Sequence, residues 1–232
     1  MIPLAVHSGY SFLQGTSGVD ALVGHAAALG HKRLALTDTD NLCGLWPFLA
    51  ACRDHGVTPM VGAEVTEPAT SRRAVCLVKD VQGYAGLCRL LTRRHMRVDF
   101  DLASGLALHG NGMVVLAEDP DLLHAGHEAN LDMVAAMLGR PLPADHLLCR
   151  AARRLEIPLA AAPAVFFNRP EDFEIHRVLR AIGQNTTLSR LTPEDTVCKD
   201  AFLAAPRQYM RRFAACPQAV LQNAAIAERI GF

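Results

Sequence analysis

A chain of 232 residues, half of them apolar and a fifth charged, is long enough to bury one sizeable core. Its 23 Lys and Arg balance its 23 Asp and Glu, which excludes a whole-molecule field able to hold a phosphate backbone unaided. The 7 cysteines have no CxxC spacing, which excludes a zinc ribbon or a disulfide scaffold. With no signal peptide, that pattern predicts reduced thiols and a cytoplasmic location, and the longest apolar runs fall short of a membrane span.

Taken in chain order, short β-type runs alternate with helical patterns, the signature of an α/β chain with a mainly parallel sheet. Strands are predicted at residues 4–6, 33–36, 58–65, 74–78, 113–117, 133–137 and 158–162. Most are continuous apolar runs, as strands buried on both faces should be. Helices are predicted at residues 19–29, 42–54, 83–94, 144–155 and 170–182. The first ends at Gly30 and the last opens on Pro170 with Glu171 and Asp172 behind it. Residues 99–111, rich in Gly, Asp and Ser, read as a long loop, and residues 206–230 as two helices broken at Pro217. Arginines gather at Arg89, Arg93, Arg94 and Arg97 and again at Arg207, Arg211 and Arg212, and both groups read as solvated helix faces. So does the pair His124 and His127.

In a parallel barrel, chemistry is built where strands end. Those positions read VHSGYSFLQG from Val6, LALTDTDNLCGL from Leu34, GVTPMVGAEV from Gly56 and PLAAAPAVFFNRPEDFEIHRVLRAIG from Pro158. In order and spacing these motifs resemble the PHP (polymerase and histidinol phosphatase) domain at the N-terminus of bacterial C-family DNA polymerases. That family includes the DNA polymerase III alpha subunit and its error-prone paralogue. The resemblance implies a distorted, TIM-like (β/α)7 barrel over residues 1–200. A helical tail over residues 201–232 would lead toward a polymerase palm.

Active members of the family resemble metal-dependent phosphoesterases, whose His, Asp and Glu side chains hold two or three divalent metals that activate water. Matched position by position, this sequence keeps little of that set. Ala5 and His7 stand where a His-x-His pair is expected, Gln14 replaces an acid, and Asp38 is followed by Thr39 in place of a histidine. Glu64 matches the acid of the third motif, whereas Arg73 occupies a histidine position. Pro163, Ala164 and Phe166 fall where the last motif has Asn, Asp and His. The vestigial pocket is therefore expected at His7, Asp38, Glu64 and Arg73, with no catalytic residue and no metal; His7 and Glu64 are the weak metal candidates. Arg73 is expected to pair with Glu64, replacing metal by guanidinium.

The resemblance implies a non-catalytic module of a polymerase, structural or partner-binding in DNA replication or repair synthesis. Its partners would be the polymerase body and replisome or repair accessory proteins, with DNA touched only indirectly. The alternative is a divergent metal-dependent phosphoesterase or 3′–5′ proofreading exonuclease, which would use Mn, Zn or Mg.

Overall fold

In a computed structural model, which describes residues 1–70 and 72–231, the strands curl into a distorted, TIM-like barrel. The elements in order are β1 (Ala5–Val6), α1 (Val19–Ala28), β2 (Arg33–Leu36), α2 (Leu45–His55), β3 (Thr58–Thr66), β4 (Arg73–Val78), α3 (Val81–Met96) and α4 (Leu102–His109). There follow β5 (Met113–Ala117), α5 (Pro120–Glu128), β6 (Asp132–Met137), α6 (Leu147–Arg154), β7 (Leu159–Ala161), β8 (Ala164–Val165), α7 (Phe173–Gly183), α8 (Pro206–Arg212) and α9 (Pro217–Glu228).

Strands β2 to β7 form one sheet in sequence order, and β1 pairs with β8 as a separate ribbon. Backbone bonds tie the ribbon to both ends of that sheet. Ala35 N donates to Pro3 O and Thr37 N to Val6 O on one side; Ala164 N donates to Leu138 O on the other. Strand β4 departs from the parallel expectation, running antiparallel to both β3 and β5. The physical reason is the short link between β3 and β4, which is too brief for a helical crossover. Reversal has a consequence for the site: the first residue of β4, Arg73, lies at the same end as the last residues of β3.

The apolar runs alternate between two cores. Leu4, Ala35, Met60, Val75, Leu77, Val114, Leu116, Val134 and Ala136 pack together inside the barrel. Cys76, Val78, Val115, Ala117, Ala135 and Met137 belong to a second cluster that includes Leu87, Leu90, Leu122 and Leu148 of the surrounding helices. Ile226 and Ala227 of α9, with Ile230, join the interior cluster. Arg33 reaches the Ile230 carbonyl at 2.6 Å, so the tail closes the barrel at the end where β2 begins.

Two sequence expectations give way here. Residues 99–111 are not a loop throughout, because Asp101 caps α4 by accepting from Ser104 N at 2.8 Å while Leu102 and Leu106 are buried. Gly105 explains its own presence: a Cβ there would lie 2.8 Å from Leu90 Cδ1 of α3. The helix expected at 170–182 opens with a 3-10 turn at Pro170–Asp172 before α7 begins. The run at 133–137 is indeed a strand, and the tail breaks before Pro217.

Candidate functional site

The mouth of the barrel holds an open cavity of about 560 Å³, lined by Glu64, Arg73, Glu118, Pro163, Ala164 and Phe166 among others. The loop after β1 is folded tightly over this end. Gly15 passes so close to Ser8 that a Cβ would collide with the Ser8 carbonyl, which makes glycine obligatory there.

Asp38, at the end of β2, is buried and accepts from Ser8 N at 2.7 Å, Ser8 Oγ at 2.8 Å and Ser11 Oγ at 2.7 Å. It pins the β1 loop to β2. Thr39 Oγ1 donates to Glu64 Oε2 at 3.2 Å. Both hydroxyl protons next to His7 are thus committed to carboxylates, Ser11 to Asp38 and Thr39 to Glu64. His7 Nδ1 lies 3.3 Å from Ser11 Oγ and 3.4 Å from Thr39 Oγ1, so the network assigns the imidazole proton to Nδ1. Nε2 is left with a lone pair, buried and without a partner among the described residues.

Phe166 stacks on His7, ring centroids 4.0 Å apart and planes within 5°. An aromatic face therefore packs against His7 from the motif that the resemblance would furnish with an imidazole. Burial pushes the His7 pKa down to about 4, a fall that Asp38 opposes and Arg73 reinforces. Burial also raises the Glu64 carboxyl above the usual carboxylate range, against the pull of Arg73 and the Thr39 hydrogen bond.

Arg73 Nη1 lies 3.8 Å from Glu64 Oε1, but the two side chains are unequally wet, 47% and 3% exposed. A fully buried pair is not what forms: the guanidinium sits at the solvent edge of the cavity. Ala5 is packed in the barrel interior, and Gln14 contributes its backbone carbonyl, which accepts from His176 Nδ1 at 2.7 Å. Pro163, Ala164 and Phe166 line the cavity with carbon.

Sequence reasoning passed over several groups here. Glu118 follows the last residue of β5 and accepts from Leu138 N at 2.9 Å; the strand-end rule applied to that run would have found it. Arg72 binds Asp119 at 2.9 Å beside it. Asp40, in left-handed backbone at φ 57°, holds Thr66 N at 2.8 Å and Arg94 at 3.0 Å. Arg94 is therefore no solvated surface residue, and neither is Arg212, which donates to the Asp200 carbonyl and lies over the Phe202 and Tyr209 rings. His124 does lie on a helix, 3.5 Å from Glu128.

The PHP domain profile matches residues 3–153. The chain belongs to the PHP domain family. It is 30% identical over 270 residues to the error-prone DNA polymerase of Symbiobacterium thermophilum, covering 98% of this chain and 25% of that protein. It is 27% identical over 260 residues to the DNA polymerase III subunit alpha of Vibrio cholerae, covering 98% of this chain and 22% of that protein. The chain thus spans about a quarter of the length of these curated relatives. Among solved structures, an amidohydrolase of Chromobacterium violaceum superposes with a TM-score of 0.49 at 14% identity, covering 69% of this chain and 85% of that one.

PHP-type chemistry would need metal, and the groups at the matched positions are engaged in other contacts. Asp38 spends its oxygens on the β1 loop, Arg73 puts a cation beside Glu64, and a phenyl ring covers one face of His7. Among the described residues, no three His, Cys, Asp or Glu side chains converge as metal ligands. No helix among them is long and apolar enough to cross a membrane.

Proposed function

We propose that this chain is a PHP module without phosphoesterase activity of its own, which supports the body of a C-family DNA polymerase in replication or repair synthesis. The observation that carries the reading is the substitution of packing and ion pairing for metal ligation at the mouth: Phe166 against His7, and Arg73 against Glu64. Similarity to polymerases along 98% of the chain supports the polymerase context. The zero net charge fits a module that meets DNA only through its partner. His7, Asp38, Glu64 and Arg73 act in this reading as a structural network that fixes the loops around the mouth.

Two measurements test it. The purified chain, given Mn, Zn or Mg, should release no phosphate from a phosphomonoester and no nucleotide from the 3′ end of labelled DNA. It should also associate with, and thermally stabilise, a C-family polymerase body from which the native PHP domain has been removed. Metal-dependent hydrolysis would refute the first half, and a polymerase body indifferent to the chain would refute the second.

The unpartnered Nε2 of His7 favours one rival reading. With Glu64 and Asp38 it would make a reduced metal site for a divergent phosphoesterase or 3′–5′ exonuclease. In that case His7→Ala abolishes a metal-dependent activity that the wild-type chain displays.

A further inference from the structure

Helix α6 carries a concentration of positive charge. Arg150, Arg153 and Arg154 are all exposed, and among the described residues none has a carboxylate within 4.0 Å. Arg153 donates to the Ala144 carbonyl, which fixes its side chain along the helix. Other surface arginines find acids, among them Arg72 with Asp119, Arg140 with Asp200, Arg177 with Glu174 and Arg229 with Asp132. The exposed Arg89, Arg169, Arg190, Arg207 and Arg211 share, among the described residues, the unpaired state of those on α6, but α6 gathers three such groups on one short helix. In a chain of zero net charge, three guanidinium groups without an ion pair on one helix make a local positive field.

The same helix is flanked by apolar surface on both sides. Toward α5 lies a groove of about 720 Å³ whose walls include Pro120, Leu147, Ala151 and Leu155, and Leu147 is 67% exposed. Toward α9 lies a wider groove of about 1160 Å³, walled by Leu142, Pro143, Ile157, Leu159 and Ala219. Arg153 borders both. The carboxylate on the first groove, Asp121, is held by Arg72 at 3.4 Å; Glu156 is the one on the second.

We propose that α6 and its two grooves form a docking surface for an acidic protein segment with aliphatic anchors. Carboxylates of the segment meet Arg150, Arg153 and Arg154, and its branched side chains enter the grooves on either side. Charge complementarity selects the acidic partner, and apolar walls around the arginines strengthen each pairing by excluding water. The walls also argue against single-stranded nucleic acid. Among the described residues, no Phe, Tyr, Trp or His lines the wider groove, and the exposed His124 is the one such ring on the other, so bases have little to stack on. The first groove adjoins the mouth cavity through Asp119 and Pro120, but neither groove is lined by His7, Asp38, Glu64 or Arg73, so the test is independent of whether that network binds metal.

Fluorescence anisotropy with a labelled peptide of alternating acidic and leucine residues, titrated with the full chain, tests the proposal. The comparison probes are a peptide with lysine in place of each acid and a single-stranded oligonucleotide of similar length. Saturable binding of the acidic peptide alone is expected. It should weaken by about tenfold or more in the Arg150→Glu/Arg153→Glu/Arg154→Glu variant and also in Leu147→Asp, with circular dichroism of both variants unchanged. Because the altered side chains are exposed, Arg154→Glu alone provides a milder variant should the triple change fail to fold, and it too should weaken the peptide. The proposal is overturned by absence of saturable binding to the acidic peptide or by equal binding of the lysine peptide. It is equally overturned if the oligonucleotide binds more tightly than the peptide, or if folded variants bind as wild type does.

Discussion

At the scale of single residues, Asp38 and Arg73 occupy one small region and contribute very differently. Asp38 is 1% exposed and satisfies one backbone amide and two hydroxyls, so Asp38→Ala strands three donors in a dry site. A loss of about 2–4 kcal/mol is expected in urea unfolding. Arg73 is half in water at 3.8 Å from its partner, and Arg73→Ala should cost about 1 kcal/mol or less. Equal effects of the two substitutions would show that the network is misassigned. Residue identities such as Ala5, Gln14 and Phe166 were legible in the sequence as losses. What replaced the ligands was not, since stacking of Phe166 on His7 depends on two segments meeting across the β1–β8 ribbon.

His176 allows a test by pH. Its Nδ1 donates to the Gln14 carbonyl and its Nε2 accepts from Val197 N at 3.2 Å, so the neutral ring bridges the β1 loop to the segment before Cys198. Burial depresses its pKa below 6.5; the Gln14 bond opposes that shift and Arg180 adds to it. A depressed folded-state pKa means the unfolded chain takes up the proton first. The contribution of His176 is therefore complete above pH 6.5 and is lost as pH falls through the folded value. His31 shifts the same way, while Glu64, with its raised pKa, contributes stability that is lost as pH rises through its folded value. Melting temperature followed downward from pH 6.5 should fall less steeply in His176→Gln than in wild type. Parallel curves would contradict the assignment.

At the scale of elements, the periodicity of apolar residues located the strands because both faces of the sheet are covered, one by the barrel interior and one by helices. Direction was not encoded in that pattern. Only the length of the link before Arg73 distinguishes an antiparallel β4 from a parallel one. Helix α4 was hidden because Asp101, Ser104 and Gly105 look like loop residues, yet Asp101 is a cap and Gly105 a point of close approach to α3. Gly105→Val should therefore lower stability by about 1–3 kcal/mol through overpacking against Leu90 and Phe100, measured by thermal unfolding. An unchanged melting temperature would mean that α3 and α4 do not pack as described.

At the scale of the whole molecule, we propose that the boundary at residues 200/201 marks a change of role and not a separate folding unit. Asn223 binds the backbone of Ile2 and the Ala161 carbonyl, and Ile226, Ala227 and Ile230 sit among the barrel's interior side chains. A chain ending at residue 200 should lose cooperative unfolding; a sharp, wild-type-like transition would show the barrel to be closed without its tail. The central claim, a PHP barrel whose mouth is held by packing and ion pairs in place of metal, is tested most directly by the metal content of the purified full chain. After incubation with Mn or Zn and removal of excess, elemental analysis should find well under one equivalent per chain. Stoichiometric retention, lost in His7→Ala, would contradict it.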